Sequence, residues 1–450
     1  MKYCVAFLIC FFVKIIPGFS QTLEEVFEQA KIENKLIMLV VETKECFHCN
    51  EITRSGLSAP SIQKKLKEDA IVFFVSKIPE EIVKPEFLYS ISYKFYGIIY
   101  LDGYKNIIHA YSGATSSYYF HEYKLKEAIK EKKREKSNLA ELSANYYTGN
   151  KSFCEIYTLI EKIINKGLDP KQWLVDSLTQ IAPADSTRSL RFLQFLCKTA
   201  PEIGSITEKY LYQNPDNYQM AWWRMPADTR IRLNTQMASK SLEKAILQND
   251  KNYVVGASYS IANRYSQNGT PAWQAVRTAS LLTYFREVKD TTYYLTMAKA
   301  YFDSYLNLNV DSILKLDSAY KDQIRKETEQ NKRLVNSSVI ASFKVTDYQT
   351  QAMKYAGLLN SGAWTNYTFS KNLNHLNDAL KWAKKANEFF EAPECMTTYA
   401  RILYKTNNKL LAIEWQSKAI DFLKSKNGNA IELEKVLEAM KNGSDKIDEY

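Results

Sequence analysis

Leu36-Ile37-Met38-Leu39-Val40-Val41, followed closely by Glu45-Cys46-Phe47-His48-Cys49-Asn50, decides how the first part of this chain folds. Six consecutive apolar residues, rich in β-branched side chains and too short for a core helix, predict a strand buried on both faces. The segment after it can start a helix at or near Cys46. A thiol at a helix N-terminus faces unpaired backbone N–H groups and the positive end of the helix dipole. Both favour the thiolate. In Cys-x-x-Cys pairs the thiol pKa falls from about 8.5 to roughly 3.5–7. The thiolate is the species that attacks a disulfide.

The neighbouring residues extend this into a layered pattern. Thr22-Leu23-Glu24-Glu25 is a capping box, and Leu23, Val26, Phe27 and Ala30 follow at helical spacing. After the Cys-x-x-Cys helix, Gly56 and Pro60 mark an interruption, and Ser61 to Lys67 resumes as helix with Ile62 and Leu66 inward. Ile71 to Val75 predicts a second strand, and Pro79 to Ile91 a loop with a short helix. Ile98 to Leu101 and Ile107 to Ala110 predict two strands joined through Asp102-Gly103, a pair that favours a hairpin turn. A last helix spans about 117–132. Helix, strand, helix, strand, helix, hairpin, helix is an α/β pattern with one mixed sheet.

Glu45-Cys46-Phe47-His48-Cys49, then Leu57-Ser58-Ala59-Pro60-Ser61-Ile62, then Ile71-Val72-Phe73-Phe74-Val75, resembles secreted bacterial thioredoxin-like proteins. In that family a Ser-x-Pro element follows the Cys-x-x-Cys helix. The resemblance covers residues 21–136 and implies a thioredoxin-like fold there. It also implies that Cys46 is the attacking cysteine and Cys49 the resolving one. A protonated His48 would stabilise the Cys46 thiolate, which makes the disulfide a stronger oxidant. Three positions depart from the family pattern. Tyr96-Gly97 stands where a cis-proline precedes the hairpin, Glu45 where a tryptophan often precedes the first cysteine, and Val40 where thioredoxin carries a buried aspartate. The missing proline bears on the substrate groove and on keeping metals off the thiols. Cys46, His48 and Cys49 offer three ligands to a metal, but a structural zinc needs four. His109, His121 and His375 form no ligand pair by spacing. No metal and no cofactor is expected. A structural disulfide or two idle thiols on a retained fold is the remaining alternative.

Residues 137–450 predict helix throughout, after the charge-dense segment 126–136. Phe153, Ile156, Tyr157 and Ile160 form one apolar face. Ala379-Leu380-Lys381-Trp382-Ala383-Lys384-Lys385-Ala386 and Ala412-Ile413-Glu414-Trp415-Gln416-Ser417-Lys418-Ala419 share a pattern offset by 33 residues. This resembles tandem tetratricopeptide helix pairs, whose repeat is about 34 residues. Such arrays stack because each pair leaves an apolar face that its neighbour covers. Residues 293–305 suggest an earlier unit, and residues 139–289 give helices without a firm register. The resemblance implies peptide or protein ligands on the array, or a packing platform that holds the first domain. Trp222-Trp223, Cys154, Cys197 and Cys395 are expected in the core.

Composition narrows the classes. Apolar residues at 46% and charged residues at 24% fit a folded chain with a sizeable core. The net charge of +10 is spread along alternating Lys, Arg, Glu and Asp, which argues against a nucleic-acid surface despite 31 tyrosines. Residues 1–20 read as a signal peptide: Met1-Lys2, an apolar run from Tyr3 to Val13, and Pro17-Gly18-Phe19-Ser20 before a cut. That run is too short to span a bilayer. No stable membrane span is expected after cleavage. The sequence therefore predicts an exported, periplasmic or extracellular protein. It would exchange disulfides with protein thiols, or serve as a non-catalytic helical adaptor on a vestigial thioredoxin fold.

Overall fold

The computed structural model describes residues 22–43, 47–82, 89–91, 95–134, 139–149, 151–334, 350–426 and 428–449, and for a few of these, Phe47 and His48 among them, the backbone alone. The expected signal peptide 1–20 lies outside the described residues, and the short helix expected between Pro79 and Ile91 falls largely on 83–88, also outside them.

The first part is a mixed sheet between helices. Helix α1 (Leu23–Glu33) starts at the capping box: the Glu25 N–H donates to the Thr22 hydroxyl at 3.3 Å, and the Thr22 N–H donates to the Glu25 carboxylate at 2.7 Å. Then follow β1 (Leu36–Val41), α2 (Phe47–Leu57), α3 (Pro60–Asp69), β2 (Ala70–Val75), the two-residue β3 (Tyr89–Ser90), β4 (Gly97–Leu101), β5 (Ile107–Ser112) and α4 (Tyr118–Arg134). The sheet order is β2-β1-β4-β5; β1 pairs with β2 in parallel and the other two pairings are antiparallel.

The unbroken apolar run of β1 follows from this position. Every residue of it is buried, and alternate residues serve two different cores. Ile37, Leu39 and Val41 join Ile99, Leu101, Ile107 and Ala110 on one face. Leu36, Met38 and Val40 join Ile98, Tyr100 and Ile108 on the other, under Leu57, Ile62, Leu66, Leu125 and Ala128 of the flanking helices. Burying each such side chain contributes about 1.5–3 kcal/mol.

Among the described residues that follow, the only strand is the two-residue β6 (Asp169–Pro170), and the other regular elements are helices. The helices are α5 (Leu139–Thr148), α6 (Phe153–Asn165), α7 (Gln172–Gln180), α8 (Leu190–Lys198), α9 (Ile206–Leu211), α10 (Pro215–Trp223), α11 (Ala227–Gln248), α12 (Lys251–Tyr265), α13 (Pro271–Glu287) and α14 (Thr291–Asp303). They continue with α15 (Val310–Leu334), α16 (Gln351–Phe369), α17 (Leu373–Phe389), α18 (Pro393–Lys405), α19 (Lys409–Ser425) and α20 (Ile431–Lys441). The alanines singled out by the repeat, Ala379, Ala383, Ala386, Ala412 and Ala419, are fully buried. Gly362 lets α16 approach the Phe302 ring closely, where a Cβ would stand 2.6 Å from it. Phe302 packs on Trp382, whose indole N–H donates to Asp303 at 2.8 Å. No helix among the described residues is long and apolar enough to cross a membrane.

The helical region is built onto the sheet. The core under α1 continues without a break through Leu139, Ile156, Ile160, Ile163 and Leu174 to Met237 of α11. At the β5 edge, the Ala110 N–H donates to the Lys166 carbonyl at 2.7 Å, and the buried Lys166 ammonium donates to the carbonyls of Ile107 and Ile108 at 3.2 and 3.3 Å. Gly167 turns the chain there with φ +75°, and a Cβ on it would collide with the Ala110 carbonyl. β3 and β6 pair Tyr89 with Pro170, which ties the two parts together again.

Three local expectations need correction. The hairpin turn is not a two-residue Asp-Gly turn. It runs from Asp102 to Asn106, whose carboxylate at Asp102 accepts the N–H groups of Tyr104 (2.8 Å) and Asn106 (2.9 Å), while Lys105 takes the left-handed conformation. Gly103 instead permits close approach of α1, because a Cβ there would stand 2.7 Å from the Lys31 nitrogen. Trp223 is 63% exposed, since Tyr218 and Ala221 occupy the inner side of short α10; Arg230 covers its ring at 4.1 Å. Cys154 is exposed because the inward face of α6 is Ile156, Leu159, Ile160 and Ile163. Cys197 and Cys395 are buried.

Gly167→Val combines positive-φ strain with a backbone collision, so it should lower stability by at least about 2 kcal/mol. Gly269→Val, also at positive φ but with open space around it, should cost clearly less. Urea denaturation of both variants checks this; equal losses would refute the role given to the Lys166–Gly167 junction.

Candidate functional site

The candidate site forms where β1 ends and α2 begins. Cys49 lies in the first turn of α2, is 4% exposed and is disulfide-bonded. The other described cysteines, Cys154, Cys197 and Cys395, are free, so the sulfur bonded to Cys49 lies outside the described residues. Cys46 and the side chain of His48, the two other site residues expected from the sequence, lie outside them as well.

Side-chain bonds fix the start of α2 to the end of β1. The Asn50 side chain accepts the Thr43 N–H at 3.1 Å and donates to the Thr43 carbonyl at 2.8 Å. Both backbone groups of the residue two past β1 are thereby held by the residue next to Cys49. One turn further, Arg54 donates twice to the Glu42 carboxylate, at 2.6 and 2.7 Å, and lies 5.4 Å over the Phe74 ring. The paired planar geometry suits guanidinium and carboxylate. The Glu42 N–H donates to Val75 at 2.8 Å, which anchors that carboxylate to the sheet. The Thr53 hydroxyl, buried, donates to the Cys49 carbonyl at 3.1 Å.

The far end of α2 rests on a buried polar pair. The interruption expected around Gly56 and Pro60 falls between Leu57, where α2 ends, and Pro60, where α3 begins. Gly56, in the last turn of α2, also packs against α4, where a Cβ would stand 2.7 Å from both the His121 Nε2 and the Thr115 carbonyl. His121, 1% exposed, donates from Nε2 to the Thr115 carbonyl at 2.9 Å. A carbonyl can only accept, so Nε2 carries the proton and Nδ1 accepts from the Tyr111 hydroxyl at 2.7 Å. Burial pushes the His121 pKa down to about 4. His109, on β5, is also pushed down to about 4, first by burial and then by the Lys124 and Lys166 ammonium groups. Both imidazoles are neutral near pH 7.

Beside the site, Gly97 pairs with Val41 on one side and Ser112 on the other. Its φ is +141°, and a Cβ would collide with the Tyr111 carbonyl. No peptide bond among the described residues is cis. Close strand packing therefore fixes a glycine at the start of β4. Among the described residues no group of three or more His, Cys, Asp or Glu is arranged to hold a metal ion.

Sequence reasoning missed the Asn50–Thr43 and Arg54–Glu42 bonds and the contact of Gly56 with His121. The one visible signal was a glycine within a helical pattern, which marks close approach when it is not a stop. No protein-family model, curated protein or solved structure matches this chain.

The depressed histidines set a pH dependence. The unfolded chain, with pKa near 6.5, binds protons before the folded one as pH falls. Stability is therefore greatest above about 6.5 and declines toward 4, by on the order of 1–3 kcal/mol per histidine. Urea midpoints at pH 7.5, 6 and 5 should fall progressively, and less steeply in His121→Gln. A flat profile over that window would refute the buried neutral assignment.

Proposed function

We propose that this chain is an exported thiol–disulfide oxidoreductase, with a thioredoxin-like first part carrying the Cys46–Cys49 pair and a tetratricopeptide-like array behind it. The observation that carries the reading is a disulfide-bonded Cys49 in the first turn of a helix launched from a fully buried central strand. Cys46 is the sulfur we assign to the bond, three residues before Cys49 in the same motif.

Each exchange step moves one sulfur–sulfur bond. With the pair oxidised, a partner thiolate attacks the Cys46 sulfur, the Cys46–Cys49 bond breaks, and Cys49 leaves as thiolate. A second partner thiolate then attacks the partner sulfur of the mixed disulfide, and Cys46 leaves. The partner loses two electrons and the pair gains them. The reverse sequence reduces a partner disulfide: Cys46 attacks, and Cys49 resolves. Cys49 is buried, so the exchange with a visiting protein falls to Cys46. His48, when protonated, favours the Cys46 thiolate and thus the reduced pair.

The competing reading is a helical adaptor whose first part is structural. It is favoured by the glycine at position 97 and by the core that the sheet shares with α5–α11. A trap separates the two. With Cys49→Ala, mixed disulfides at Cys46 should accumulate with partner proteins and disappear on reduction, and wild type should reduce a model disulfide at least tenfold faster than Cys46→Ser. Equal inertness of both, with partners that survive reduction and map to 290–450, would sink the enzymatic reading.

A further inference from the structure

The segment after α20 is seated in the helical array as a ligand would be. The chain leaves α20 through Gly443 at φ +72°, with the Ser444 N–H donating to the Ala439 carbonyl at 2.9 Å. It then returns across α18. Ile447 is fully buried and joins the core that contains Leu359, Ala363 and Tyr367 of α16, Leu403 of α18 and Met440 of α20. The next side chain, Asp448, is 42% exposed and meets three groups of the array.

Those groups match an apolar residue followed by an acidic one. Arg401 of α18, buried, donates from Nη1 to the Ile447 carbonyl at 2.6 Å and reaches the Asp448 carboxylate at 3.4 Å. Lys405, one turn on, donates to the other carboxylate oxygen at 2.7 Å. Tyr367 of α16 donates its hydroxyl to the carboxylate. Trp364, 40% exposed, stacks on Tyr367 at 5.4 Å and lies 5.8 Å from the Arg401 guanidinium. An apolar pocket, a buried arginine reading a backbone carbonyl, and a cationic pair over a carboxylate are the parts of a site that recognises a short peptide. Charge-assisted bonds to Lys405 and Tyr367 hold the Asp448 carboxyl below its ordinary pKa against the opposing effect of burial.

We propose that the groove between α16, α18 and α20 is a peptide-binding site for a bulky aliphatic residue followed by an aspartate or glutamate, and that residues 444–449 fill it in cis. A partner segment of that chemistry would compete with the chain's own segment, so access depends on releasing it. The proposal gives a place and a ligand chemistry to the binding role suggested for the helical array, and it does not involve Cys46 or Cys49.

Fluorescence anisotropy with a labelled peptide of residues 443–450 tests it. The chain ending at Asn442 should bind the peptide at least tenfold more tightly than the full chain. Arg401→Gln in the shortened chain should lose at least tenfold, Lys405→Gln at least threefold, and the peptide carrying Asp448→Asn should bind at least tenfold more weakly. In the full chain, Ile447→Ser with Asp448→Asn should loosen the segment and raise binding of the unaltered peptide. Helical content by circular dichroism accompanies each variant. A shortened chain that stays helical without binding, equal binding to short and full chains, or loss of helix on shortening would each overturn the proposal. Capture of partners by 290–450 that persists in Arg401→Gln would leave the adaptor reading standing while removing this groove from it.

Discussion

One strand sets the terms for the rest of the molecule. β1 is hydrogen-bonded along both edges, to β2 and to β4, and buried on both faces. It cannot shift by a residue without exchanging its two faces between two packed cores. Everything launched from its end therefore starts from a fixed point. Asn50 closes on Thr43, and Arg54 on Glu42, so α2 is tied to the two residues that follow β1. The disulfide-bonded Cys49 therefore sits on a turn held by side-chain bonds, the kind of support that the proposed exchange would need.

The same strand explains why the helical region is not an independent appendage. A central strand buried on both faces needs cover on each side. α2, α3 and α4 cover one. The other is too wide for α1 alone, and α5 to α11 complete it. The edge of β5 is closed by the end of α6, where Lys166 spends its ammonium on strand carbonyls and Gly167 allows two backbones to meet. Helices further along combine large core side chains such as Phe302 and Trp382 with buried alanines, Ala379, Ala383, Ala386, Ala412 and Ala419, which let neighbouring helices come close. The array thus grows from a fixed base outward, and the groove filled by Ile447 and Asp448 lies at its far end.

How much of this could be read from residues alone follows from how local the cause is. The Thr22–Glu25 capping box, the run Leu36–Val41 and the apolar spacing of α6 each carry their reason within a few positions, and each appears in the structure where expected. The division into a mixed four-stranded sheet and a long helical region was legible for the same reason. The packing roles of Gly103 and Gly56 were not legible because their neighbours, Lys31 and His121, are distant in sequence; a glycine needed for close approach looks like one needed for a turn or a stop. Trp223 and Cys154 sit on helices whose inward faces only packing selects. Asn50, Arg54 and Arg401 carry no local pattern at all, since each is defined by the partner it finds in the folded chain.

The proposed function requires the disulfide at Cys49 to open and close in exchange with other proteins. The equilibrium reduction potential of the folded chain, titrated in glutathione buffers with alkylation of Cys46 and Cys49 mapped at each point, tests this most directly. The account predicts a single two-electron transition of that pair between about −270 and −120 mV, the span of exchange-active pairs. A transition below about −300 mV, typical of a structural disulfide, or alkylation showing that Cys49 is bonded to a cysteine other than Cys46, would contradict it.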